Sequence, residues 1–368
     1  MKSLGALVSL PAQTALNGKQ AGKDERRSRS ILLGDRMFQL KFRHIALAAS
    51  VVILSCIYTQ ADKPLIDSLL PAAGKGPLRA VINSDVAADI TDQFAVTYAM
   101  LSARFNIEGL VAAHHGGIRK NGKPDIELSY QELRRILRLM GGEKVVPLKR
   151  GAPEPLQDRA KPQEAEGIDF IIERALARSS APLYIIALGP LTDVASAYLK
   201  RPEIKKKVIV LWHGGSNWPQ SAKSLNSGND LKAVQVVFDS DLRLILGDAG
   251  AEMALPIEEA RERLIALGPL GQYLFSLRAL PKPDGSPRFS EYKTINELAT
   301  IGVAINRDWG VFEEAEAPVV ADNFEYSFPA GRRKLLRLKL AQRNAIFNDF
   351  YIKLMKFATS GGMQTTSN

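Results

Sequence analysis

A single cysteine, Cys56, is present in 368 residues, which excludes a disulfide framework and any cysteine-based metal cluster. It lies in an N-terminal segment, so the remaining chain has no thiol chemistry in any compartment. Histidines number four and aromatic residues make up 7%. No basic stripe is interleaved with aromatics, which argues against a nucleic-acid surface. The formal charge of +10 belongs largely to the N-terminus. Residues 1–61 hold nine Lys/Arg and three Asp/Glu, and taking them from the totals of 49 and 39 leaves 40 and 36, a net of +4. No apolar run reaches the roughly 20 residues of a membrane span. The longest, Ile45 to Tyr58, has 14. There are no internal repeats or low-complexity tracts.

That run follows Lys41, Arg43 and His44 and is followed by the small residue Ala61, the order of an export signal. Met37 offers a second start, "ILSC" ending at Cys56 is similar to a lipoprotein cleavage site, and an uncleaved anchor fits as well. The expectation is an exported protein, periplasmic or extracellular, that meets a membrane only through 45–58. Residues 1–61 form the extension, 62–78 a Pro/Gly-containing linker, 79–357 the folded domain, and 358–368 a disordered tail.

Within the domain, short apolar runs alternate with amphipathic segments. Strands are expected at 79–83, 107–113, 145–148, 183–188, 206–212 and 242–246. Helices are expected at 91–104, from a capping box of Ser129 and Glu132 to Gly141-Gly142, and at 166–178 and 231–239, with a turn and helix over "GPLTDVASAYL" (189–199). After 257 the pattern is largely helical: 257–266, 268–279, 296–305 and 342–357. The fold class is α/β: a Rossmann-like, mostly parallel sheet with helices on both faces and a helical C-terminal portion. Ligands of such sheets bind at the carboxyl ends of the strands.

One of those ends holds three acids, in "AVINSDVAADITDQFAVTYAM" (80–100). Asp85, Asp89 and Asp92 lie between a strand and a helix. Helix capping accounts for one acid; a hard cation such as Ca²⁺, which takes six to eight oxygens, accounts for all three. Asn296-Glu297 opens a later apolar helix, where plain capping is the simpler reading. His114-His115 and His213 follow other strands. Trp212 and Trp218 flank "HGGSN"; stacking on a ligand and core packing both suit them, and Asn217 suits a sugar contact or a turn.

"INSDVAADITDQFAV", "ALGPLTDVASAYL", "LNSGNDLKAVQVVFDS" and "INELATIGVAI" resemble, in order, the successive blocks of the inosine/uridine-preferring nucleoside hydrolase family. The resemblance implies the nucleoside hydrolase fold and calcium-dependent hydrolysis of a nucleoside or related N-glycoside. It implies Asp85 as general base and metal ligand, with Asp92, the Leu188 carbonyl and Glu297 completing the metal set. Asn226 corresponds to a sugar contact. Departures accompany these matches. Asn83 stands at an Asp position, Thr91 and Ser224 replace carboxylates that hold the sugar, and Asn296 replaces a His of some members. Thr91, Ser224, Asn226, Asn217, Asn296, His115 and Trp218 are the candidate substrate contacts. Two expectations follow: a hydrolase with altered sugar recognition, or a catalytically impaired nucleoside- or sugar-binding protein of the same fold. Self-association is left open.

Overall fold

Alternation of apolar side chains along the strands decides the layering. In the computed structural model, which describes residues 64–116, 125–279, 281 and 291–360, β1 (Leu78–Ser84) sends Ala80 and Ile82 to one face and Val81 to the other. β4 (Leu183–Ala187) does the same with Tyr184 and Ile186 against Leu183, Ile185 and Ala187. Strands buried on both faces are what a parallel sheet covered by two helical layers requires. The first face is covered by α2 (Thr91–Met100), α3 (Ile126–Met140), α10 (Glu297–Ile305) and α11 (Arg343–Ser360). The second is covered by α4 (Glu166–Leu176), α5 (Thr192–Lys200) and α7 (Leu231–Asp239).

The eight strands run β3-β2-β1-β4-β5-β6-β12-β9. Here β2 is Phe105–Ala112, β3 Leu148–Arg150, β5 Val208–Trp212, β6 Arg243–Leu246, β9 Gly310–Glu316 and β12 Lys334–Ala341. All neighbouring pairs are parallel except β12 with β9. The chain winds outward from β1 through β2 and β3, then returns to place β4 on β1's other side. This is the reversal point at which α/β sheets open a crevice. Asp85 follows β1 and Leu188 follows β4, so the two flank it. Leu188 N donates to Asn83 O at 2.8 Å across that gap.

The remaining elements are α1 (Leu65–Leu69), α6 (Leu225–Asn229), α8 (Ile257–Leu264) and α9 (Gly268–Ala279), with two short ribbons. One pairs β7 (Ala254–Pro256) with β8 (Tyr292–Thr294), the other β10 (Val319–Val320) with β11 (Tyr326–Ser327).

Several boundaries differ from the sequence reading. The Ser129–Glu132 capping box is not formed: α3 starts a turn earlier, because the apolar face extends back to Ile126. Ser129 Oγ is buried without a partner among the described residues, and Glu132 instead accepts from Tyr273 Oη and, at 3.4 Å, from Gln93. The strand expected at 145–148 lies at Leu148–Arg150; Pro147, with no N–H to give, joins only through its carbonyl to Leu110 N. The C-terminal third also supplies two sheet strands, β9 and β12, beside its helices. The linker holds α1, and α11 continues to Ser360. The extension 1–61 and residues 361–368 lie outside the described residues. Among those described, no helix is long and apolar enough to cross a membrane.

Candidate active site

β1 ends in Asn83-Ser84 with Asp85 directly after it, and α2 begins at Thr91-Asp92, so the junction between them delivers its acids to the crevice. Asp85 is 1% exposed and Asp92 3%. Ser84 Oγ donates to Asp92 Oδ1 at 2.6 Å, which fixes that carboxylate beside the strand end. Asp89 takes another course: its carboxylate accepts from Ile90 N and pairs with Lys293 of β8. The three acids of the motif therefore differ: all three border the crevice, and Asp89 alone is tied to a lysine.

Directly after β4 comes Leu188, whose backbone carbonyl accepts from Asn226 Nδ2 at 2.8 Å; the same amide donates to His213 O at 2.9 Å. Asn226 thereby links the ends of β4 and β5. Glu297 arrives from the first turn of α10 and is 7% exposed. Its Oε1 lies 3.5 Å from His213 Nε2, and its Oε2 is buried without a hydrogen-bond partner among the described residues. Thr300 Oγ1, 2.9 Å from His213 Nδ1, orients the imidazole.

These residues enclose a cavity of about 150 Å³, lined by Asp85, Asp92 and Glu297, by Ala88, Asp89 and Thr91, and by His213, Gly214, Ser216, Ser224, Leu225, Asn226 and Asn296. Larger surface hollows exist, but they lack this convergence of buried acids. Burial first, then the charge of Glu297, pushes the Asp85 carboxyl well above the usual carboxylate range. Burial, then Asp85 and Glu297, does the same to Asp92 against the opposing Ser84 hydrogen bond. Asp85 and Asp92 thus resist ionisation through burial first and through neighbouring carboxylates second.

Among the described residues no group of three or more His, Cys, Asp or Glu closes into a ready-made metal cluster. Asp92 leans on Ser84 and Glu297 faces His213. The donor chemistry itself fits a hard cation: carboxylate and carbonyl oxygens, buried, mutually repelling, with Glu297 Oε2 unpartnered.

The other expected contacts are placed as follows. Thr91, Ser224 and Asn296 line the cavity, and Asn296 Oδ1 is buried without a partner among the described residues. Ser224 caps α6 in a reciprocal box with Ser227. Asn217 is exposed and makes a turn, its carbonyl accepting from Gln220 N and Ser221 N. Trp218 packs on Tyr326 and Phe328, with Arg337 over its ring, away from the cavity lining. His115 is half-buried, its N–H donating to Asp125 Oδ1 at 3.0 Å.

Three features were missed in the sequence. Lys293 neutralises Asp89. Asn229 Nδ2 lies 3.5 Å from Asp85 Oδ2. Asp230, next to it, accepts from Thr192 Oγ1, Leu156 N and Ala233 N, while Thr192 also meets His114 Nε2 at 2.8 Å. The dipeptide Asn229-Asp230 ahead of an apolar helix reads as a cap, and nothing local reveals its reach.

A family model described as inosine-uridine preferring nucleoside hydrolase matches residues 80–321. The pyrimidine-specific ribonucleoside hydrolase RihA of Enterobacter sp. (strain 638) is 30% identical over 122 residues, 32% of this chain and 37% of that protein. RihA of Citrobacter koseri is 24% identical over 207 residues, 48% of this chain and 62% of that protein. The chain thus spans less than two thirds of either relative's length. A plant nucleoside hydrolase superposes with a TM-score of 0.61 at 16% identity, covering 76% of this chain and 99% of that one. A purine-preferring ribonucleoside hydrolase from Gardnerella vaginalis gives 0.60 at 16%, covering 77% and 99%. Identities this low establish the shared fold, an α/β sheet open at the crevice described above. The sequence model reaches further, because it takes in the β1 acids, the loop after β4 and the α10 glutamate in one continuous match: this chain belongs to the inosine-uridine preferring nucleoside hydrolase family.

Proposed function

We propose that this protein hydrolyses the N-glycosidic bond of nucleosides or related N-glycosides, with Ca²⁺ as its cofactor and altered recognition of the sugar. The observation that carries the reading is the arrival of Asp85, Asp92 and Glu297, each more than nine-tenths buried, at one small cavity from the first and last strand-end loops. Three buried carboxylates repel one another and are costly to desolvate together unless a cation joins them. Asp85, Asp92, Glu297 and the Leu188 carbonyl are the groups that would hold it. When bound, the ion supplies positive charge to the acids and Lewis acidity toward oxygen.

Asp85 is the general base. Its carboxylate takes a proton from the attacking water as the water oxygen bonds to the anomeric carbon. The C–N electron pair leaves with the nucleobase, whose nitrogen takes up a proton from solvent, and Asp85 returns its proton to solvent afterwards. The sugar carbon gains positive charge on the way, while Asp92 and Glu297 serve as the groups that would hold the ion. Thr91 and Ser224 give the wall neutral groups in place of carboxylates, so ordinary ribonucleosides should be poor substrates in binding and in chemistry.

Hydrolysis of a nucleoside panel with saturating Ca²⁺, by wild type and Asp85→Asn, tests this. Asn keeps the volume and removes the base, so the variant should fold and lose all turnover; turnover near the wild-type rate would exclude Asp85 as the base. We propose further that the protein acts outside the cytoplasm, supported by Lys41–His44, the apolar run 45–58 and Ala61. Fusions of 1–75 and 37–75 to a reporter active only after export should give signal, and silence from both would exclude export.

A further inference from the structure

The turn that presents the Leu188 carbonyl, 188–193, is anchored at its far end by two buried side chains. Thr192 meets Asp230 and His114, as described above. Asp193, beside it in the first turn of α5, is 1% exposed and has both carboxylate oxygens in use. Its Oδ1 accepts from Ala152 N at 2.6 Å, and its Oδ2 accepts from Asn83 Nδ2 at 2.8 Å. Close approach is built in, because a Cβ on Gly151 would lie 2.1 Å from Asp193 Oδ2. Burial raises the Asp193 carboxyl to about 6, and these two hydrogen bonds oppose the rise.

Asn83 is fully buried near the end of β1 and is not among the groups that line the cavity. Its Nδ2 also donates to Val111 O at 3.3 Å. Both of these neighbours are acceptors, so the place calls for a side chain that donates. A second carboxylate there would face Asp193 at hydrogen-bond distance, where two acids cannot both ionise. The acid that the family motif leads one to expect at 83 is therefore incompatible with the acid at 193, and the pair keeps one carboxylate and one amide. Asn83 stands two residues ahead of Asp85, and its carbonyl accepts from Leu188 N at 2.8 Å. One buried contact thus sets both the strand end that carries the proposed base and the turn that carries the Leu188 carbonyl.

We propose that Asn83 and Asp193 are positioning residues for hydrolysis, a complementary pair in which Asp193 carries the charge expected at 83, so that the departure at Asn83 is compensated and not disabling. This rests on the hydrolase reading above, with Asp85 as the base. The test is a swap in the full chain: wild type, Asn83→Asp, Asp193→Asn and the double variant, assayed on the nucleoside panel with saturating Ca²⁺ near pH 8. Asp193→Asn sets two amides face to face and leaves an N–H without an acceptor. Asn83→Asp sets two acids face to face and takes the donor from Val111 O. Each single change should lower kcat at least tenfold and change KM less than threefold, because it shifts reacting groups and removes no substrate contact. The double variant again has one donor and one acceptor and should recover kcat to within threefold of wild type, so restoring the family's acid at 83 helps only when 193 gives up its own. A double variant no better than the worse single overturns the proposal. So do single variants that melt lower yet turn over at the wild-type rate, which is the result of a merely structural contact. If a single variant fails to fold, the double must still fold and work, and an unfolded double overturns the pairing. A second arm, thermal melts of the four proteins, is independent of turnover: a swap that melts near wild type above both singles supports the pair, and additive losses overturn it. If wild type cleaves no nucleoside, the hydrolase reading fails while the melts still decide the pairing.

Discussion

Gly189 offers a direct way to move Asp85 without altering it. A methyl group built on Gly189 would lie 2.7 Å from Asp85 Oδ1, 2.8 Å from its Cγ and 3.0 Å from its backbone N. Ordinary contact begins at 3.4 Å, so Asp85 must retreat by about 0.7 Å, the difference between 3.4 and 2.7. Gly189 does not occupy the left-handed region, so Gly189→Ala carries no backbone strain of its own and its whole effect falls on the neighbour. A displacement of about 1 Å at a reacting group costs about 100-fold. We therefore expect a loss of roughly 10- to 100-fold in kcat/KM, about 1.4–2.7 kcal/mol. Overpacking should lower stability by about 1–3 kcal/mol. Gly228 is the control: it is exposed in α6, a Cβ there meets nothing within 4 Å, and Gly228→Ala should stabilise by up to about 1 kcal/mol and leave turnover unchanged. Nucleoside hydrolysis and thermal melts on both variants suffice. A folded Gly189→Ala protein with wild-type kcat/KM would refute the placement of Asp85 as a position-critical base.

Two further outcomes are expected. Ca²⁺ at 100 times its Kd should stabilise the domain by about 2.7 kcal/mol, read as a chelator-reversible rise in Tm; Glu297→Gln should need more ion for the same rise, and equal dose dependence would remove Glu297 from the ligand set. His114 is buried, and that burial lowers its pKa to about 4. The unfolded chain therefore binds this proton first, so wild type should lose stability relative to His114→Gln as pH falls from about 6.5 to 4, by at most about 3 kcal/mol. Asp193 and Asp248, raised by burial to about 6, favour the folded state as pH falls through 6, so only the difference between the two proteins isolates His114. A difference constant with pH would refute the assignment.

What was legible in the sequence was whatever a local pattern records. β1, β4 and β5 are continuous apolar runs, and their order with intervening helices gave the parallel sheet and its open end. Asp85 and Asp92 stood out by their place between a strand and a helix, whereas Glu297 read locally as a plain cap and was singled out only by the family resemblance. The pairing of Asp89 with Lys293 could not, since the partners are 204 residues apart and meet only through the β7–β8 ribbon. Ser224 could be recognised as a replaced carboxylate, but its commitment to Ser227 belongs to a five-residue helix too short to announce itself. β9 escaped notice because four of its seven residues, in GVFEEAE, are glutamate or glycine, which masks the alternation of a strand.

β12 has a consequence for how this chain is made. It inserts between β6 and β9 and brings Leu335, Leu336 and Leu338, all essentially inaccessible, into the two cores. Until about residue 341 has left the ribosome, β6 is an unpaired edge and both helical layers lack part of their floor. The family's matched block ends at 321, before this strand. A nascent chain carrying the whole of that block is therefore still an open sheet with exposed apolar surface, a form that chaperones bind and that pairs readily with other strands. Assembly of the domain waits for nearly its last element, and truncation after the matched block should yield an aggregating chain rather than a smaller folded protein.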